Sequence, residues 1–171
     1  MADSVNIDVQ NINELLRNLE KADKTVRQAA FKGLQMGAMA VINDAKENLR
    51  QNTPPNIVTG LLRASGKVQK VDDETLDMGF FDTTNQGHGY ASYVEYGRRS
   101  GKFPPLDAIE EWAKKKLGIK DEREARTVGF LIARRIAREG STPHPFFIPA
   151  IKKNSRGILQ AMKDAIATVT R

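Results

Sequence analysis

The chain has 171 residues, 40% hydrophobic and 28% charged, with 27 Lys and Arg against 21 Asp and Glu for a net charge of +6. Such a length supports one domain with a real core and excludes several catalytic modules, while the composition excludes wholesale disorder. The lack of cysteine excludes a disulfide framework, a thiol nucleophile and a thiolate metal site, and the basic balance permits contact with polyanions without specifying it.

The N-terminal MADSVNIDVQ has neither a basic leader nor an apolar core segment, and the strongest apolar run, Val128 to Ala133, is too short to span a bilayer. A soluble, unprocessed protein of a reducing cytoplasm is expected. Val5, Ile7 and Val9 alternate with polar residues as a short strand. Ile12, Leu15, Leu16 and Leu19 then recur at helical spacing up to Glu20, with Asn11 or Asn13 as cap. Asp23 caps a longer helix whose apolar line is Val26, Ala30, Leu34, Ala38, Val41 or Ile42, Ala45 and Leu49. Gly33 and Gly37 within it admit a close neighbour.

Pro54 and Pro55 stop that helix, and Thr59 caps a single turn through Arg63. Lys67–Val71 and Thr75–Phe81 read as two strands joined by the acidic turn Asp72-Asp73-Glu74. The polar, glycine-rich stretch from Thr83 to Gly89 reads as a surface loop.

All three tyrosines come next, in Tyr90-Ala91-Ser92-Tyr93-Val94-Glu95-Tyr96-Gly97. A strand would divide Tyr93 from Tyr96, whereas a helix aligns Tyr90, Tyr93, Val94 and Gly97; a short helical turn ending at Gly97 is the preferred reading. Arg98, Arg99, Ser100, Gly101 and Lys102 then form a basic, mobile tip before Pro104 and Pro105. An aromatic anchor beside a cationic loop suits an assembly surface. Beyond it, Ile109, Trp112, Ala113 and Leu117 or Lys116 mark a helix ending at Gly118, with Trp112 as core plug. Ala125, Val128 or Gly129, Ile132 and Ile136 mark another from Glu122 to Glu139, closed by Gly140. A last helix starts at Phe146 or Pro149 and carries Ile151, Ile158, Met162, Ala165 and Val169. The whole is an α+β fold: a small antiparallel sheet packed against several helices, with long helices toward both ends, in a single domain 1–171 with a helical insertion at about 100–140.

Chemistry finds little purchase. His88 lies in a glycine loop and His144 between prolines, neither with a triad neighbourhood or metal-ligand spacing. The acidic turn reads as a solvated hairpin, and Gly87 and Gly89 are not followed by a phosphate-loop GK[ST]. No catalytic, metal or cofactor residue is predicted, and the chain is not expected to be an enzyme. Arg98, Arg99 and Lys102 on the loop, and Arg134, Arg135 and Arg138 on the helix, would either hold nucleic acid through phosphates or form a solvated face.

Three ordered stretches carry a resemblance: Thr59-Gly60-Leu61-Leu62-Arg63, Tyr90 to Gly97, and Pro143-His144-Pro145-Phe146-Phe147-Ile148-Pro149-Ala150. Together they resemble the tailed-bacteriophage family named after gp10 of phage HK97, the neck or tail-completion proteins of long-tailed phages. The resemblance implies a structural virion protein, made in the host cytoplasm and assembled as a ring at the head–tail junction. Its partners would be itself, neighbouring head-completion, tail-terminator or tail-tube proteins, and genomic DNA in the lumen, with no membrane. On this reading Tyr90, Tyr93, Val94, Glu95, Tyr96 and Gly97 form the subunit or partner interface. Arg98, Arg99 and Lys102 would face the DNA. Thr59, Gly60 and Arg63 belong to the structural motif, and Pro145, Phe146, Phe147 and Pro149 would pin the last helix against the sheet. A tail-terminator role and a small cytoplasmic nucleic-acid-binding protein are the alternatives.

Overall fold

Lys24–Gln51 is one continuous helix, α1. Its expected stripe is the buried one: Ala30, Ala38, Val41, Ile42, Ala45 and Leu49 are nearly inaccessible to solvent. The next elements along the chain are α2 (Leu61–Ser65), β1 (Gly66–Lys70), β2 (Leu76–Phe80), α3 (Tyr90–Tyr96), α4 (Leu106–Leu117), α5 (Glu122–Glu139) and α6 (Phe147–Ala167). The two strands pair in one small sheet. The chain is therefore α+β, with the long helices lying toward its two ends. These elements come from a computed structural model that describes residues 19, 22–51, 60–81 and 90–170. The expected strand Val5–Val9, the expected helix from Ile12 apart from Leu19, the prolines at 54 and 55, Thr59 and the loop Thr83–Gly89 lie outside the described residues. The chain forms two compact units: Met1–Asn48 with Gly66–Gly79 and Phe146–Arg171, and Leu49–Ser65 with Phe80–Pro145.

In the first unit α1 and α6 run antiparallel. The pairings establish it, because positions rising along α1 meet positions falling along α6. A Cβ at Gly33 would stand 2.6 Å from the Met162 Cα, and one at Gly37 would stand 2.8 Å from the Ile158 Cα. Further along, Asn154 Nδ2 donates to Asp44 Oδ2 at 2.7 Å and Lys153 Nζ approaches the same oxygen at 2.9 Å. At the far end Asn48 Nδ2 donates to the Phe146 carbonyl at 2.9 Å. The close neighbour admitted by Gly33 and Gly37 is thus α6, whose own buried residues are Ala150, Ile151 and Met162. The hydrogen bond from Asn154, and after it the contact with Lys153, hold the Asp44 carboxyl below its ordinary value.

The β1–β2 hairpin lies against the N-terminal half of α1. Lys70 Nζ sits 5.4 Å from the Phe31 ring centroid, and Arg27 reaches Glu74 at 3.6 Å. Its turn is built as the acidic sequence demands: the Glu74 N–H donates to Asp72 Oδ1 at 2.8 Å, and the Val71 N–H to the Thr75 carbonyl at 3.0 Å. The Glu74 N–H is also the main reason the Asp72 carboxyl lies below its ordinary value, with Thr75 second.

The second unit is organised by the α4–α5 pair. Gly118, at φ 69°, ends α4 in the left-handed conformation. Asp121 then caps α5 by accepting from the Glu124 N–H at 2.8 Å, worth about 1 kcal/mol. The contact line differs from the expected one. Ala125, Gly129 and Ala133 are the fully buried residues of α5, while Val128, Ile132 and Ile136 are half-buried. Small residues at four-residue spacing let the helices approach until a Cβ at Gly129 would lie 2.9 Å from Glu110 Cγ. Ala113 is likewise the buried centre of α4, and Trp112, expected as a core plug, is only half-buried. At so short a separation an indole does not fit between the helices. Lys114–Glu122 at 3.5 Å and Arg126–Glu110 at 3.4 Å flank the crossing. No helix among the described residues is long and apolar enough to cross a membrane.

Candidate assembly surface

The tyrosine stretch is helical, as its three- and four-residue spacing predicts. One turn of helix divides it sharply. Val94 and Glu95 are 9% and 6% exposed, whereas Tyr93 and Tyr96 are 41% and 54% exposed and stand three residues apart on the outer side. Of the residues grouped as an interface, Tyr93 and Tyr96 therefore offer surface and the Val94-Glu95 pair is internal. Tyr90 is the first residue of this helix.

The segment after α3 is held by main-chain hydrogen bonds. Gly97 adopts φ 71°, and a Cβ there would collide with the Ser141 carbonyl oxygen. On the opposite segment Gly140 adopts φ 78°, and its Cβ would collide with the Arg98 carbonyl oxygen. Two glycines in a region costly to other residues thus allow two backbones to meet. Between them Arg98 and Ser141 exchange both antiparallel hydrogen bonds, at 3.1 and 2.8 Å. The His144 N–H donates to the Val94 carbonyl at 2.8 Å, and the Gly101 N–H to the Ala137 carbonyl at 2.7 Å. This clasp ties the C-terminal end of α3 to the segment leaving α5, and it includes the turn Pro143-His144-Pro145. Two of the three sequence motifs meet here.

The basic loop is therefore fastened, not the mobile tip expected from its glycine and prolines. Arg98 is the clearest case. Its Nη2 donates to the Lys102 and Phe103 carbonyls at 2.9 and 3.1 Å, and its guanidinium carbon sits 5.4 Å from the Tyr93 ring centroid. A guanidinium so engaged closes its own loop and braces the exposed tyrosine. Arg99 and Lys102 are exposed. On α5, Arg134, Arg135 and Arg138 are exposed, with Arg135 pairing with Glu139 at 2.9 Å and Arg138 contacting the same carboxylate. Those two contacts hold the Glu139 carboxyl below its ordinary value, Arg138 first.

Gly60, of the first motif, has φ 74° and its carbonyl accepts the Ala64 N–H at 2.9 Å; Arg63 is exposed in the last turn of α2. In the third motif Pro145 is exposed, Phe146 is 1% exposed, Phe147 is half-buried, and Pro149 is exposed within the first turn of α6. The Phe146 carbonyl is held by Asn48 of α1, so a helix supplies this anchoring contact where the sheet was expected.

Sequence reasoning passed over one surface. Phe103, Leu106, Phe130 and Leu131 are exposed large apolar residues, and the Phe103 and Phe130 rings stack with centroids 5.9 Å apart. The available signal was the run Ala125, Gly129, Ala133: small residues at four-residue spacing announce a close crossing and turn Phe130 and Leu131 outward. Among the described residues no group of three or more His, Asp or Glu is gathered as a metal site would need.

Residues 13–97, about half of the chain, match the family model described as "Bacteriophage HK97-gp10, putative tail-component". No curated protein and no solved structure matches the chain. The matched segment runs through α1, the hairpin and α3 and ends at Gly97, the residue that begins the clasp. The chain thus belongs to the HK97-gp10-like family of bacteriophage tail components through residues 13–97.

Proposed function

We propose that this tail-related structural protein forms a homo-oligomeric ring at the head–tail junction of a long-tailed phage and helps to join the DNA-filled head to the tail, without catalysing a reaction. The observation that carries this reading is the pair Tyr93 and Tyr96, exposed on a short helix whose end is fastened by the clasp. Tyrosine contributes large contact area at low entropy cost, and a fixed backbone spares the ordering that a loop would need on docking. Subunit contacts through that face would close a ring, and neighbouring head-completion and tail-terminator or tail-tube proteins would stack on it. Arg99 and Lys102 are the loop cations suited to phosphates of the passing DNA, with Arg98 occupied in holding the loop.

The test is deletion of the gene from its phage, followed by negative-stain microscopy of the lysate. Separate DNA-filled heads and tails of normal length are the expected result. Tails of uncontrolled length would move the protein to tail termination, and intact infectious particles would overturn the virion role. The purified subunit should also be compared with Tyr93→Ala/Tyr96→Ala by sedimentation velocity. Loss of the oligomer with an unchanged circular dichroism spectrum is expected; an unchanged oligomer would remove the tyrosines from the ring contact.

A further inference from the structure

Residues 98–141 leave the clasp and return to it as a closed arm that contains α4 and α5. Charge is very unevenly divided between this arm and the rest. The arm holds twelve Lys and Arg against seven Asp and Glu, while the other 127 residues hold fifteen against fourteen. Nearly all of the chain's positive excess therefore belongs to the arm. On the outer face of α5, Arg123, Arg126, Thr127, Phe130, Leu131, Arg134 and Arg138 succeed one another along the helix, and every one is exposed. Phe103 stacks on Phe130, and Leu106 shares with Phe130 a groove that also contains Asp107, Glu110, Arg126 and Thr127. The result is an apolar centre with a rim of arginines, among which Arg126 pairs with Glu110 and Arg138 with Glu139.

We infer that this face of the arm docks a different virion protein, one presenting an apolar patch bordered mainly by carboxylates; the inference rests on the virion role proposed above. Three observations select that occupant. The arm of a second copy is equally basic, so contact between two arms lacks a complementary field. Duplex DNA offers phosphates but no exposed apolar surface to cover Phe103, Leu106, Phe130 and Leu131. The groove is itself of mixed sign, with Asp107 beside the Arg126–Glu110 pair, and a protein surface that carries a few cations among its carboxylates can match it where a uniform array of phosphates cannot.

The experiment adds purified protein to separated heads and tails from the gene-deletion phage and measures co-sedimentation with each, together with recovery of infectious particles. The variants are Phe130→Ser/Leu131→Ser, Arg126→Glu/Arg134→Glu, and the milder Arg134→Glu alone, each checked by circular dichroism and sedimentation velocity. The wild-type protein should bind one particle type, more weakly as salt rises, and both double variants should bind about ten-fold more weakly or worse at unchanged oligomeric state. If a double variant does not fold, Arg134→Glu decides, with a smaller loss of the same sign expected. Wild-type binding matched by every folded variant would overturn the arm surface and leave the virion role standing. Failure of the wild-type protein to bind either particle would overturn the virion role itself. Variants that lose self-association, or that lose binding to a DNA duplex or anionic vesicles but not to particles, would overturn the chosen occupant.

Discussion

Replacing Gly33 by alanine should destabilise the protein, whereas the same replacement at Gly157 should stabilise it. Both residues lie inside helices, where alanine in place of glycine is worth about 0.5–1 kcal/mol in backbone entropy. Nothing lies within 4 Å of a Cβ added at Gly157, so that gain is retained. At Gly33 the added Cβ would lie 2.5 Å from the Ala161 carbonyl oxygen and 2.6 Å from the Met162 Cα, and these backbone atoms cannot swing aside as a side chain would. Ordinary contact begins at 3.4 Å, so α6 must retreat by about 0.9 Å. A retreat of that size also opens the neighbouring crossing at Gly37, where the helices pack so closely that an added Cβ would lie 2.8 Å from the Ile158 Cα. Overpacking of this kind costs about 1–3 kcal/mol, so the net loss after the propensity gain centres on about 1 kcal/mol. Urea unfolding monitored by far-ultraviolet circular dichroism measures both variants against the wild type. A Gly33→Ala midpoint at or above the wild-type value would refute the close α1–α6 crossing.

Three further outcomes are expected. Gly97→Ala places a side chain at φ 71° and drives its Cβ into the Ser141 carbonyl oxygen, which should cost about 1–3 kcal/mol; backbone exchange at Arg98 and Ser141 should rise in hydrogen–deuterium exchange, and unchanged protection would count against the clasp. Asp44 has its carboxyl lowered by Asn154 first and Lys153 next, so it contributes stability above the ordinary carboxylate range that is lost as pH falls through its folded value. Asp44→Asn should therefore show a shallower acid loss of stability than wild type in urea midpoints taken between about pH 6 and 3, and parallel curves would contradict that linkage. Asp121→Ala removes the α5 cap and should cost about 1 kcal/mol in thermal unfolding, while Asp121→Asn should stay near wild type; equal losses would show that the charge and not the cap matters.

Local patterns were the legible part of this chain. The α1 stripe, the hairpin with its Asp72-Asp73-Glu74 turn, the helical spacing of Tyr93 and Tyr96, and the stops at Gly118 and Gly140 all depend on neighbours within a few positions. The structure keeps each of them, with strand ends displaced by one residue. Reading α5 from its large residues alone misplaced its contact line, because the closest approach is made by residues with almost no volume. That error hid the exposed pair Phe130 and Leu131, and the same close approach leaves Trp112 half-buried.

The sequence by itself determined which segments become helix and strand, and it supplied the three motifs from which the family could be named. Periodicity, capping residues and turn glycines act over a single turn or hairpin, so they are readable without knowing what lies across the fold. Only the tertiary structure decided that Gly33 and Gly37 face α6, that Arg98 closes its own loop, and that Gly97 and Gly140, 43 positions apart, fit against each other's backbone. Those outcomes depend on distances between segments remote in sequence, where a missing side chain carries no signal until its neighbour is in place.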